Sequence, residues 1–204
     1  MGPLVLFLLS SIAITVAPGP DNIQVIARTL GQGRAAGMAA ALGFASGCLF
    51  HTLLAVLGVA ALLKASPLAF DLIRYAGAAY LGWLGVQALR SRGGFEAGAA
   101  PRAQRLRTVY RQSVLANILN PKVTLFFLVF LPQFVRPDGA SPGLQMFVMG
   151  VLFMVLTAVI FGGFAYAASF IGPLLHKQPR VGRYLDRLTG LVFLGLAARM
   201  LIWR

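Results

Sequence analysis

Asp21 and Lys122 are the charged residues that a membrane-embedded chain would tolerate least. Each falls about midway along an extended apolar stretch and directly follows a proline, in Pro18-Gly19-Pro20-Asp21-Asn22 and in Asn120-Pro121-Lys122. A charge at the centre of a bilayer costs at least about 2.5–3.5 kcal/mol. An acid and a base placed at that expense can hold the ammonium and the carboxylate of a zwitterionic solute, and the acid can also cycle a proton. They can equally pair with each other and lock two segments together. Asn22, Gln24, Asn117 and Asn120 flank the same positions; they can bind a solute or simply satisfy backbone groups that the prolines free. His51 and Arg199 are weaker candidates. His51 sits mid-stretch as a proton relay or a neutral packing residue, and Arg199 is near enough to the end of the last stretch to snorkel.

Other chemistries find little support. The chain has five acids, two histidines and one cysteine, scattered along its length, whereas an intramembrane metal site wants them clustered. Cys48 lacks a second thiol for a disulfide or a redox pair. Neither a nucleophile–base pair nor an H-E-x-x-H motif is present, so no enzyme, metal site or cofactor is expected.

The elements that must position Asp21 and Lys122 follow from composition. The 204 residues are 58% hydrophobic and 11% charged, less than half the charge of an ordinary soluble domain at about 25%. Such a chain cannot cover itself in water. Six apolar stretches, at about 3–31, 35–63, 68–89, 113–135, 142–172 and 184–203, meet the roughly 20 residues a spanning helix needs. The first reads as a retained helix, because no Lys or Arg precedes its apolar run. The expectation is an all-α integral membrane protein forming a single domain over 1–204.

The first and fourth stretches are broken near their middles. A proline inside a helix removes one hydrogen bond and clashes with the preceding turn, and in hydrocarbon the freed groups need partners. Gly19 or Asn120 can act as N-cap with Pro20 or Pro121 in the first helical position, where a missing N–H costs nothing. Each second half-helix then turns a positive dipole end toward its break. With a basic loop over about 90–112, repeat one (about 1–89) and repeat two (about 113–204) hold three spans each. Three is odd, so the repeats are inverted, with the broken helix first in each. Broken helices at matching positions point to a transporter's midplane site.

Basic residues set the topology. Eleven Lys and Arg, including Arg28, Arg34 and the arginines between Arg90 and Arg111, fall in the 1–2, 3–4 and 5–6 connections, against four on the other side. The positive-inside rule puts the 3–4 loop in the cytoplasm and both termini outside. The net charge of +13 therefore suits a lipid surface, not nucleic acid. Small residues at spacing four, Gly33/Gly37, Gly43/Gly47 and Ala78/Gly82, favour close helix packing, within one chain or in a homodimer.

The two breaks, together with Gly77-Ala78-Ala79-Tyr80-Leu81-Gly82, Asn117-Ile118-Leu119-Asn120-Pro121-Lys122 and Phe130-Leu131-Pro132-Gln133-Phe134, carry a resemblance along nearly the whole chain. It resembles the LysE/RhtB family of bacterial amino-acid exporters. That resemblance implies six spans in the cytoplasmic membrane and secondary-active export of amino acids or close analogues, driven by the proton-motive force. Transport of another small solute or a metal cation, and a non-transporting membrane scaffold, are the alternatives.

Overall fold

Six of the eight α-helices among the described residues begin on a proline, where the ring fixes a helical φ and the absent N–H would have had no intrahelical partner. The computed structural model describes residues 3–17, 19–59, 67–90, 103–136, 139–175 and 179–202. The helices are α1 (Pro3–Val16), α2 (Pro20–Gln32), α3 (Arg34–Leu54), α4 (Pro67–Arg90), α5 (Leu106–Ile118), α6 (Pro121–Leu125), α7 (Pro142–Leu175) and α8 (Pro179–Ile202). A π-helical turn, Ala55–Val59, continues α3. A second, Phe126–Phe130, continues α6 and runs into a 3-10 turn, Leu131–Phe134.

Two segments, Arg34–Gly58 and Pro142–Phe170, are long and apolar enough to cross a membrane alone. Two bent pairs qualify together, which makes up to four spans if each pair is one. The first pair is α1 with α2, bent by 54°; the second is α5 with α6 and its continuation to Phe134, bent by 51°. Both expected breaks are therefore real bends. Pro18 itself lies outside the described residues, as does Lys64. Helices α4 and α8 are 24 residues each, and charges near their starts, Asp71 and Arg74 in one and Arg180, Arg183, Asp186 and Arg187 in the other, keep them from reading as simple apolar spans.

Helix α5 begins at Leu106, ahead of the expected 113, and carries Arg107 and Arg111 on exposed positions. Its first turns are polar, so hydropathy alone reads them as loop. Arg28 also departs from expectation. It is not a loop charge but part of α2, and it is only 6% exposed.

Packing explains some of the small residues and corrects others. A Cβ on Gly43 would fall 2.5 Å from the Tyr110 carbonyl, and one on Gly47 would fall 2.6 Å from Asn117 Oδ1; both glycines let α3 lie directly on α5. Gly85 and Gly190 do the same for α4 against α8, where a Cβ on Gly190 would sit 2.8 Å from the Gly85 carbonyl. Gly82 meets nothing within 4 Å, and Gly33 is a turn, with φ +88°, between α2 and α3. Neither takes part in the expected stripe.

The buried apolar residues form two clusters. The larger is aromatic, with Phe7, Phe126, Phe127, Phe130, Phe134 and Phe153 at its heart; Phe126 and Phe153 have ring centroids 4.9 Å apart. The smaller joins Val25, Phe44, Val109 and Phe161 with Ala40, Ala41 and Ala165, and Phe44 meets Phe161 edge-on at 5.8 Å. The two helix breaks meet between these clusters.

Candidate functional site

Ending a helix leaves its last carbonyls without partners, and starting one leaves its first N–H groups without them. At the first break, α1 ends at Val16 and α2 starts at Pro20, with Gly19 in extended conformation as N-cap. Asn22 Nδ2 donates to the Thr15 carbonyl at 2.8 Å. Lys122 Nζ, from the second break, donates to the carbonyls of Ile14 and Ala17 at 3.3 Å each. At that second break Asn120 is the N-cap of α6, its Oδ1 accepting from the Lys122 backbone N–H at 3.0 Å.

The two breaks complete each other. Asn120 Nδ2 donates to Asp21 Oδ1 at 2.7 Å, and Asn117 Nδ2 donates to Asp21 Oδ2 at 3.2 Å. Asn120 thus spends its oxygen on its own helix and its nitrogen on the other break. Asp21 and Lys122 hold the same station, the second residue of the half-helix after a proline. The positive end of α2 suits Asp21, whereas that of α6 opposes Lys122. The ammonium is compensated by the negative end of α1 and by the face of Phe193, 5.8 Å away. Gly19 leaves the room, since a Cβ there would fall 2.9 Å from Lys122 Nζ.

Asp21 and Lys122 do not form a direct ion pair: no nitrogen–oxygen approach within 4.0 Å joins them. Both are buried, 4% and 8% exposed, and both face one small cavity of about 20 Å³, room for one water. Thr15, Asn117, Cys48 and Thr157 share its wall with Ile14, Val123, Phe126, Phe153 and Phe161. Asp21, Lys122, Thr15 and Asn117 come from the breaks, Cys48 and Thr157 come from α3 and α7, and the apolar wall comes from both clusters. Thr15 Oγ1 and Asn117 Oδ1 are buried without a hydrogen-bond partner among the described residues.

The remaining candidates fall elsewhere. Gln24 is half-buried and outside the cavity wall. His51 is fully buried, its Nε2 3.0 Å from the Asn117 carbonyl and its ring against Phe127. It braces the end of α5 and does not line the cavity. Arg199 lies over the rings of Phe134 and Phe130, at 4.8 and 5.5 Å. Sequence reasoning missed Thr15, Thr157 and Cys48 as wall residues. Isolated hydroxyls in otherwise apolar helices were the available signal for the two threonines.

Residues 12–204 match the LysE type translocator family. The chain is 30% identical over 199 residues to a leucine efflux protein of Klebsiella pneumoniae, covering 95% of this chain and 92% of that one. It is 30% identical over 192 residues to a homoserine/homoserine lactone efflux protein of Salmonella typhimurium, covering 94% and 92%. An uncharacterized membrane protein of Vibrio cholerae is 31% identical over 189 residues, covering 93% and 91%. No solved structure matches the chain.

Proposed function

The chain belongs to the LysE-type translocator family, a family of membrane transporters and not of enzymes, and from that premise we propose that it exports a neutral amino acid with an apolar side chain across the bacterial cytoplasmic membrane. The observation that carries this reading is the buried cavity shared by Asp21 and Lys122 with an otherwise mostly apolar wall. A zwitterion presents one ammonium and one carboxylate to such a pair, and its side chain meets Ile14, Val123, Phe126, Phe153 and Phe161. Relatives named for leucine and homoserine efflux agree with an amino-acid cargo.

In this reading Asp21 receives the ammonium and carries the coupling proton between cargoes, Lys122 receives the carboxylate, and Asn117 and Asn120 orient Asp21. The cargo replaces hydrogen bonds the breaks make to each other, so binding loosens the contact between halves. Room for one water is far less than a leucine requires, so the described conformation is closed around the site. Phe126, Phe153 and Phe161 form the aromatic part of its wall.

Six spans complete the topology: α1–α2, α3, α4, α5–α6, α7 and α8. A 24-residue helix is about 36 Å long, more than the roughly 30 Å hydrocarbon layer, so α4 and α8 can cross with their charged starts at its edges. Helix α3 packs on α7 and α4 on α8, the pairings that an exchange of two inverted halves maps onto itself. Both termini then face outward, and the segment before α5 faces the cytoplasm.

The test is counterflow in proteoliposomes with a panel of labelled amino acids, with and without a pH gradient. Leucine and other neutral apolar amino acids should exchange, lysine and glutamate should not, and an imposed gradient should drive accumulation. Exchange confined to cationic or acidic solutes would overturn the reading. Asp21→Asn should abolish gradient-driven accumulation when reconstituted at matched protein amounts.

A further inference from the structure

Arg28 lies two turns beyond Asp21 on the same helix, α2, and a spacing of seven puts both on nearly the same face. It is 94% buried, being 6% exposed, and it has no carboxylate partner among the described residues. Its Nη2 donates to two neutral amide oxygens, Gln104 Oε1 at 3.2 Å and Gln112 Oε1 at 2.9 Å. Its Nε and Nη1 have no partner among the described residues. Gln32, one turn further along, donates to the Gln104 backbone carbonyl. Gln104, just before α5, and Gln112, on α5, are thus strapped to the end of α2 by an arginine that pairs with no carboxylate among the described residues.

On α2, Val25 lies between Asp21 and Arg28 and is buried with Phe44, Val109 and Phe161, the last of which also lines the central cavity. The same two helices, α2 and α5, thus meet through two polar contacts, Arg28 with Gln112 and Asp21 with Asn117.

We propose that Arg28 is an entry site for the cargo's carboxylate at the cytoplasmic mouth, and that the carboxylate takes the guanidinium from Gln104 and Gln112, releasing the strap. This rests on the exporter reading above and adds a second anion site to it. A guanidinium binds a carboxylate through two parallel, charge-assisted hydrogen bonds, which outcompete bonds to neutral amides. An amino acid arriving from the cytoplasm thereby opens its own path to Lys122, while a solute lacking a carboxylate leaves the strap in place.

The test compares leucine with leucinamide, which lacks the carboxylate, in vesicles that expose the cytoplasmic face. Arg28→Gln should raise the KM for leucine about tenfold with little change in maximal rate, and leucinamide, which cannot release the strap, should be carried poorly by the wild type. Arg28→Lys should recover most of the leucine KM, and Gln104→Ala with Gln112→Ala should lower it. An unchanged leucine KM in Arg28→Gln, or leucinamide carried by the wild type as well as leucine, overturns the proposal. A transport-independent arm uses 4-methylpentanoate, the carboxylate of leucine without its ammonium, in thermal-shift measurements on purified protein. Protection of the wild type that is lost in Arg28→Gln and kept in Arg28→Lys supports the site; protection equal in wild type and Arg28→Gln, or absent from the wild type, overturns it. If the wild type moves no amino acid, the exporter reading fails while this arm still decides the anion site. If Arg28→Gln does not fold, the lysine variant and the double glutamine variant decide it.

Discussion

Removing Asp21 and Lys122 together should do less harm to the fold than the two single removals added up. The structure supplies the bounds. Asp21→Asn places an amide where a carboxylate accepts from both Asn117 and Asn120. Hydrogen bonds to a charged group contribute about 1.5–3 kcal/mol each, and an amide has one oxygen, so at least one of the two is lost. It also leaves the Lys122 ammonium buried without a nearby anion. Lys122→Met does the converse to Asp21 and uncovers the carbonyls of Ile14 and Ala17. Two charges 4 Å apart interact by about 4 kcal/mol at an effective dielectric constant of 20. Because these stand farther apart than that, their coupling should lie below it, at about 1–3 kcal/mol. A double-mutant cycle reads this directly. The purified single and double variants are unfolded under one detergent condition and their midpoints compared, while counterflow is measured in parallel. Each single variant should lose about 2–4 kcal/mol; the double variant should lose less than their sum by the coupling, and all three should lack transport. Strict additivity would refute the idea that the two charges stabilise each other across the cavity. Transport surviving in the double variant would refute their role with the cargo.

Other outcomes follow from named contacts. Gly47→Ala puts a methyl 2.6 Å from Asn117 Oδ1, so it should lower stability by about 1–3 kcal/mol and reduce counterflow, because Asn117 must move away from Asp21. Phe153→Ala should cost about 3–5 kcal/mol and shift counterflow from leucine toward bulkier apolar amino acids, as measured against the same panel. Cys48 is in the cavity wall and has no exposed surface, so a small thiol reagent should label it only during turnover; saturating cargo should slow that labelling, as mass spectrometry can record. Tyr110→Phe removes an exposed hydroxyl that reaches Ser46 at 2.9 Å and should change the unfolding midpoint by no more than about 0.5 kcal/mol.

The breaks were legible in the sequence because their cause is local. Pro20 and Pro121 can each begin a helix but not continue one, and Asn120 has the side chain of an N-cap; all three do so in the structure. Membrane residence was legible from the shortage of charge. What was not legible is where long side chains reach. Lys122 touches residues 108 and 105 positions away, and no spacing rule predicts a contact that depends on two bent helices meeting. The same reason hid Arg28, which counts as a loop charge by position along the chain but is buried by the segment before α5. It also misled the reading of Gly33 and Gly82, whose spacing fits a packing stripe although no neighbour lies against them.

The crossing of partners between the breaks also imposes an order in time. Asp21 is made 96 residues before Asn117 and 99 before Asn120. At about 5–20 residues per second, the acid and the open end of α1 wait for some 5–20 seconds before the side chains that complete them leave the ribosome. During that interval the first half is a membrane segment with an unfinished polar seam. Expressed without the second half, it should be a substrate for quality-control proteolysis, and the second half supplied in trans should rescue it.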